Sequence, residues 1–185
     1  MRIATGLDLW QRPYFGKMRY FFLYNVTPRG DIAGFGDSYN YDVPRRAGGL
    51  RGLLEFHAER FDDPAVRGWL ELFRENGKQL PRLPSMPGLI LPQKIEPKLP
   101  LGLPPDAVFR GVGWAALHSN ISDPTDDLFV AFKSSPYGGV SHSYCDQNGF
   151  AILKGGRALA RPGGQRYPQH GTPFHTKYTQ QTIAQ

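Results

Sequence analysis

The chain has 185 residues, 40% hydrophobic and 13% aromatic, with 22 Lys and Arg against 16 Asp and Glu for a formal charge of +6. Apolar and aromatic content this high excludes an intrinsically disordered chain, and the length bounds it to one or two domains. A single cysteine, Cys145, excludes an internal disulfide framework and any CxxC metal site.

In chain order, the first segment is rich in aromatics (Trp10, Tyr14, Phe15, Tyr20, Phe21, Phe22, Tyr24). It predicts an amphipathic helix over Tyr14 to Tyr24, stopped by Thr27-Pro28-Arg29-Gly30. Gly34 to Asp42 is too rich in Gly, Asn and Asp to be an element; it is either a solvated connection or a loop whose Tyr and Asp line a cleft. Leu50, Leu53, Leu54, His57 or Ala58, and Phe61 give a helical stripe, with His57 as a partly buried packing residue. A second helix follows: Asp63 caps it, Pro64 sits at its first position, Val66, Trp69, Leu70 and Phe73 form its apolar face, and Gly77 ends it.

Eight prolines between Pro81 and Pro105 exclude a helix or a central strand there. The stretch reads as a semi-rigid crossing, after which the period changes. Ala107 to Ser119 and Asp127 to Lys133 predict strands separated by a turn at Ser122-Asp123-Pro124. Phe150 to Leu153 predicts another, turning tightly at Lys154-Gly155-Gly156-Arg157 into Ala158 to Arg161. The last residues, K-Y-T-Q-Q-T-I-A-Q, alternate like the start of a further strand. Helices at 1–80, a crossing at 81–105 and antiparallel strands at 106–185 make an α+β chain.

Between the second and third strands lies S-S-P-Y-G-G-V-S-H-S-Y-C-D-Q-N-G-F, from Ser134 to Phe150. On a strand His142, Tyr144 and Asp146 share one face, as a cleft edge requires, although the same residue types also furnish any long hairpin loop. The net charge is compatible with an anionic partner, but the basic residues are scattered and no RNA-binding module is present, which disfavours nucleic acid. No apolar run of about 18 residues exists to span a membrane. The first residues, M-R-I-A-T-G-L-D-L-W, contain no apolar segment of the kind an export signal needs, and the compartment stays open.

The run F-K-S-S-P-Y-G-G-V-S-H-S-Y-C-D-Q-N-G-F-A-I-L-K-G-G-R-A-L-A-R-P-G-G resembles the β-domain signature of the heparinase II/III-like polysaccharide lyases, nearest to the alginate (oligoalginate) lyase branch. Y-P-Q-H-G-T-P-F-H-T-K-Y-T-Q-Q-T-I-A-Q resembles the next strand pair of that family. The resemblance covers about Phe109 to Gln185; the N-terminal half resembles only the last part of the helical domain, less specifically. It implies the end of an (α/α) toroid followed by an antiparallel β-sandwich, incomplete at both ends, with a cleft between them. The implied reaction is β-elimination on a uronic-acid-containing polysaccharide. The family motif His-x-His-x-Asp, followed by Asn and an aromatic, places a member of the catalytic set on His142. Asp146 and Asn148 then brace the loop, and Tyr137, Tyr144, Gln147 and Arg166 lie near an acidic polysaccharide or oligosaccharide.

Departures from the pattern carry their own expectations. In metal-binding members the matched positions ligate zinc, but here they are Tyr144, Arg161 and Gln185, so no metal and no cofactor is expected. His170 and His175 could in principle supply an alternative pair. The Asn or His and the Tyr that the family takes from its toroid have no matched position; Tyr39 and Tyr41 are candidates by residue type only. The chain is therefore expected to hold part of an active site. The alternatives are a carbohydrate-binding or inactive homologue, and a basic β-rich domain that binds some other polyanion.

Overall fold

A computed structural model describes residues 6, 8–33, 35, 44–77, 96–135 and 147–160. After a 3-10 turn at Leu9–Gln11 come three helices, α1 (Pro13–Asn25), α2 (Pro44–Phe61) and α3 (Pro64–Asn76). Five strands follow, β1 (Asp106–Phe109), β2 (Trp114–His118), β3 (Leu128–Lys133), β4 (Gly149–Lys154) and β5 (Arg157–Ala160). They form one antiparallel meander in sequence order. The α+β character and the order of helices before strands agree with the sequence.

α3 forms for the reasons its sequence gives. The Asp63 carboxylate accepts hydrogen bonds from the N–H groups of Ala65 and Val66, and Pro64 needs no donor at the first position. Val66, Trp69, Leu70 and Phe73 are buried, and the Gly77 N–H closes on the Phe73 carbonyl at 2.8 Å. Asp63 also binds α1, accepting from Arg19 Nε at 2.6 Å and from the Tyr20 hydroxyl at 3.1 Å. α1 ends where expected: the Thr27 N–H bonds the Asp31 carbonyl, and Val26 bridges Ile32 across a turn that needs Gly30 at φ 87°.

Two expectations are corrected. Ala107 to Ser119 is not one strand, because Arg110 to Gly113 turn back and put Val108 opposite Ala115. Gly113, at φ 66°, takes the left-handed conformation that a continuous strand would not need. His57 is not partly but wholly buried, stacked on Phe61 with ring centroids 5.4 Å apart.

The sheet turns one face to the helices. Ala116, Phe129, Ala131, Ala151 and Leu153 are buried there, in one cluster with Leu23 of α1, Leu54 of α2 and Trp69 of α3, and His118 is buried on the same face. Phe21 lies 5.5 Å from Trp114 and 5.2 Å from Phe109, centroid to centroid, so α1 is seated on the start of the sheet. The final part of the proline-rich stretch is laced to both layers. Its Lys98 N–H bonds the Pro64 carbonyl, the Pro104 carbonyl accepts from the Tyr24 hydroxyl, and the Pro105 carbonyl accepts from the His118 N–H. The other face is apolar and exposed, with Val108, Leu117, Leu128, Phe132 and Phe150 on it; Leu159 of the edge strand is exposed as well.

Candidate functional site

Of the residues singled out in the sequence, Gln147 and Asn148 are among those described. His142, Tyr137, Tyr144, Asp146 and Arg166 lie outside the described residues. So do Arg161 and Gln185 at the zinc-matched positions, His170 and His175, and Tyr39 and Tyr41. What can be built upward is therefore the base on which the segment containing His142 stands.

β3 and β4 pair in register from Leu128↔Lys154 to Lys133↔Gly149. Their next two opposed pairs would be Ser134 with Asn148 and Ser135 with Gln147. Both pairs are bonded, but through side chains: Ser134 Oγ donates to Asn148 Oδ1 at 2.9 Å, and the Ser135 N–H donates to Gln147 Oε1. Asn148 sits at φ 57°, a left-handed conformation that Asn tolerates and that takes its backbone out of the ladder. The side chains thus extend the pairing by two rungs and hold together the ends of the connecting segment, 136–146.

The β1–β2 turn fastens the same place from the side. The Ser134 N–H donates to the Gly113 carbonyl at 2.7 Å, and a Cβ on Gly113 would lie 2.2 Å from the Ser134 carbonyl oxygen. Next to Gly113, Trp114 receives Phe35 edge-on at 4.9 Å. Phe35 belongs to the Gly34 to Asp42 stretch, the other candidate cleft loop. The structure thus brings one residue of that stretch to the end of the sheet from which the 134–148 connection leaves. Arg110, exposed in the β1–β2 turn at this end, has no ion-pair partner among the described residues.

A second polar group was not legible in the sequence. His118 Nδ1 meets Asp127 Oδ2 at 2.5 Å, its Nε2 meets the Tyr24 carbonyl at 2.9 Å, and its ring stacks on Phe129 at 4.7 Å. Burial pushes the Asp127 carboxyl up. Hydrogen bonds from His118, the Asn120 N–H and Ser119, with the attraction of His118, outweigh it and hold the group below the usual carboxylate range. Both ring nitrogens are engaged and the pair is buried, so this is a strut from helix to sheet, unable to reach a substrate. Sequence spacing could not announce it, because His118 and Asp127 meet only through the β2–β3 register and Tyr24 contributes a backbone atom.

Among the described residues no three His, Cys, Asp or Glu side chains gather as a metal site, and no helix is long and apolar enough to cross a membrane.

No protein family matches the sequence, and no curated protein does. Solved structures do match the fold. A heparinase III superposes with a TM-score of 0.56 at 13% identity, covering 90% of this chain and 22% of its own. The heparan sulfate lyase HepC from Pedobacter heparinus superposes with a TM-score of 0.55 at 16% identity, covering 89% of this chain and 21% of its own. At these identities the likeness is one of fold, and the chain spans about a fifth of the length of those structures.

Proposed function

We propose that this chain is part of a polysaccharide lyase that cleaves a uronic-acid-containing polysaccharide, alginate-like or heparin-like, by β-elimination. The supporting observation is the match of its helices-then-sheet fold to two lyases over about nine-tenths of the chain, with the His142 motif in the connection that leaves one end of the sheet. In this reading the helices are the end of an (α/α) toroid. The five strands are one layer of a β-sandwich, and the exposed apolar face of Phe132 and Phe150 is the side toward its second layer.

The chemistry sets what the site must do. The C5 proton of a uronate is α to a carboxylate, so its removal needs that carboxylate neutralised and the enolate-like intermediate stabilised. A base takes the proton, the C4–O4 bond breaks as the C4–C5 double bond forms, and an acid returns a proton to O4. His142 belongs to this catalytic set. Tyr137, Tyr144 and Arg166 lie along the sugar, and Asp146 and Asn148 brace the loop. Arg110, without an ion-pair partner among the described residues and at the same end of the sheet, supplies a cation for the carboxylate or a sulfate.

The test is ultraviolet absorbance of the unsaturated product on alginate and heparan sulfate oligosaccharides, using the longest reading frame that carries this chain. Product from the parent and at least a hundredfold less from His142→Ala are expected, as for loss of a proton-transfer group. A parent that binds the oligosaccharides without forming product would replace the lyase by a non-catalytic carbohydrate-binding domain. Equal rates in parent and variant would remove His142 from the mechanism.

A further inference from the structure

We infer that His57 is an acid-sensitive latch: when its ring takes up a proton, the 3-10 turn at Leu9–Gln11 lifts off α2 while α3 and the sheet stay folded. The inference concerns the helical layer and does not rest on the lyase reading.

The His57 ring is wholly buried, and neither of its nitrogens has a hydrogen-bond partner among the described residues. Three aromatic rings among those residues enclose it. Phe61 stacks on it at 5.4 Å, and Trp10 and Phe56 meet it edge-on at 6.0 and 6.2 Å. An imidazolium carries two N–H donors and would find no acceptor there, so charging the ring requires a wall to open. The charged and titratable groups on the elements packed around it are bound to one another. Arg19 and Tyr20 of α1 hold Asp63, Asp8 ahead of the 3-10 turn holds Arg60 of α2, and Glu59 of α2 holds Arg67 of α3. Burial first, and then the like charge of Arg19, favour the neutral ring.

Which wall opens follows from where the rings are attached. Phe56 and Phe61 belong to α2 itself and cannot leave while that helix stays wound. Trp10 is half-buried and comes from a turn of three residues. Besides the contact of Trp10 with Phe56 at 4.8 Å, the described tie from this turn to α2 is the Asp8–Arg60 pair at 2.9 Å. Its arginine is 42% exposed, and such pairs hold weakly. The closed form is fully favoured above the ordinary imidazole value near 6.5 and loses ground as pH falls below it. Between pH 7.5 and pH 5.5 the open form gains about tenfold.

Hydrogen exchange on the 185-residue chain, corrected for the intrinsic rate at each pH, gives opening constants for the bonded amides of Trp10, Gln11 and Phe15. These constants are expected to rise about tenfold from pH 7.5 to pH 5.5 in the parent and less than about twofold in His57→Leu. Asp8→Asn keeps an acceptor for the Trp10 N–H and removes the charge, so the tenfold ratio is expected to persist in it. Amides of the edge strand β5 are expected not to respond, and the Trp69 amide is expected to open far less than that of Gln11. A ratio retained in His57→Leu, lost in Asp8→Asn or shared by β5 overturns the latch. So do equal opening constants at Gln11 and Trp69, which would mean that the whole fold opens at once. Should His57→Leu fail to fold, nuclear magnetic resonance of the parent decides. The His57 Cε1–H and the Trp10 indole N–H must then titrate with one midpoint, and two separate midpoints overturn the inference.

Discussion

Asp127 holds its stabilising effect only while it is charged. Its folded-state pKa lies below the ordinary value, so this contribution is present above the unfolded carboxylate value near pH ~4 and is lost as pH falls through the folded value. Asp127→Ala leaves the buried His118 ring without its partner and is expected to lower stability by about 3 kcal/mol, measured by urea denaturation at pH 7. His57 works in the opposite sense from a paired histidine. Burial and then the nearby Arg19 charge push its pKa below the ordinary value, and both ring nitrogens lack a hydrogen-bond partner among the described residues. The unfolded chain therefore takes up a proton first, and stability falls as pH drops below about 6.5. His57→Leu is expected to raise the urea midpoint more at pH 5 than at pH 8; an equal gain at both would refute the titration. The stripe of α2 was legible in the sequence. The depth of His57 was not, because Trp10 closes over it from outside the helix.

At the scale of elements, two glycines mark where one layer touches another. A Cβ on Gly68 of α3 would lie 2.2 Å from the Lys98 carbonyl and 2.9 Å from Leu101 Cδ2. Gly68→Ala is therefore expected to push the 98–101 segment off the helix. Gly113→Ala meets both a left-handed φ and the Ser134 backbone, so a loss of at least about 2 kcal/mol is expected, read as a lower melting temperature. The capped helix α3 was read correctly because its signals are local: Asp63, Pro64, a 3.6-residue stripe and Gly77. The β1–β2 turn was missed because Val108, Val112 and Trp114 fall on one face of a continuous strand, and only Arg110 on that face and Gly111 and Gly113 on the other argued against it. The 134–148 connection was recognised from its residue types. The side-chain rungs at its base were not, since they depend on the pairing of strands on either side.

At the scale of the whole molecule, the described helices and sheet bury their apolar faces in one cluster, so among the described residues the layers have no separate cores to fall back on. A single unfolding transition is expected, with far-ultraviolet circular dichroism and tryptophan fluorescence coincident, because Trp69 and Trp114 report on the two layers. Two resolved transitions would mean that the strut through His118 does not couple them. The sheet faces differ sharply in what they tolerate. Ala131→Ser, inside, leaves a buried hydroxyl seeking a partner, whereas Phe132→Thr, outside, is expected to change the stability of the 185-residue chain by itself by less than about 0.5 kcal/mol.

The two rungs beyond the β3–β4 ladder make the end of the sheet a socket. Their bonds run between residues 134, 135, 147 and 148, all on the scaffold side of the connection. Lengthening a flexible insert costs little, about 0.6 kcal/mol for each doubling. An exchange of the stretch between Ser135 and Gln147 for one of different sequence and length is expected to leave the β3–β4 ladder folded, as amide exchange of β3 and β4 would show. Under the proposed lyase reading, chemistry and stability would then be housed in separable parts of the chain.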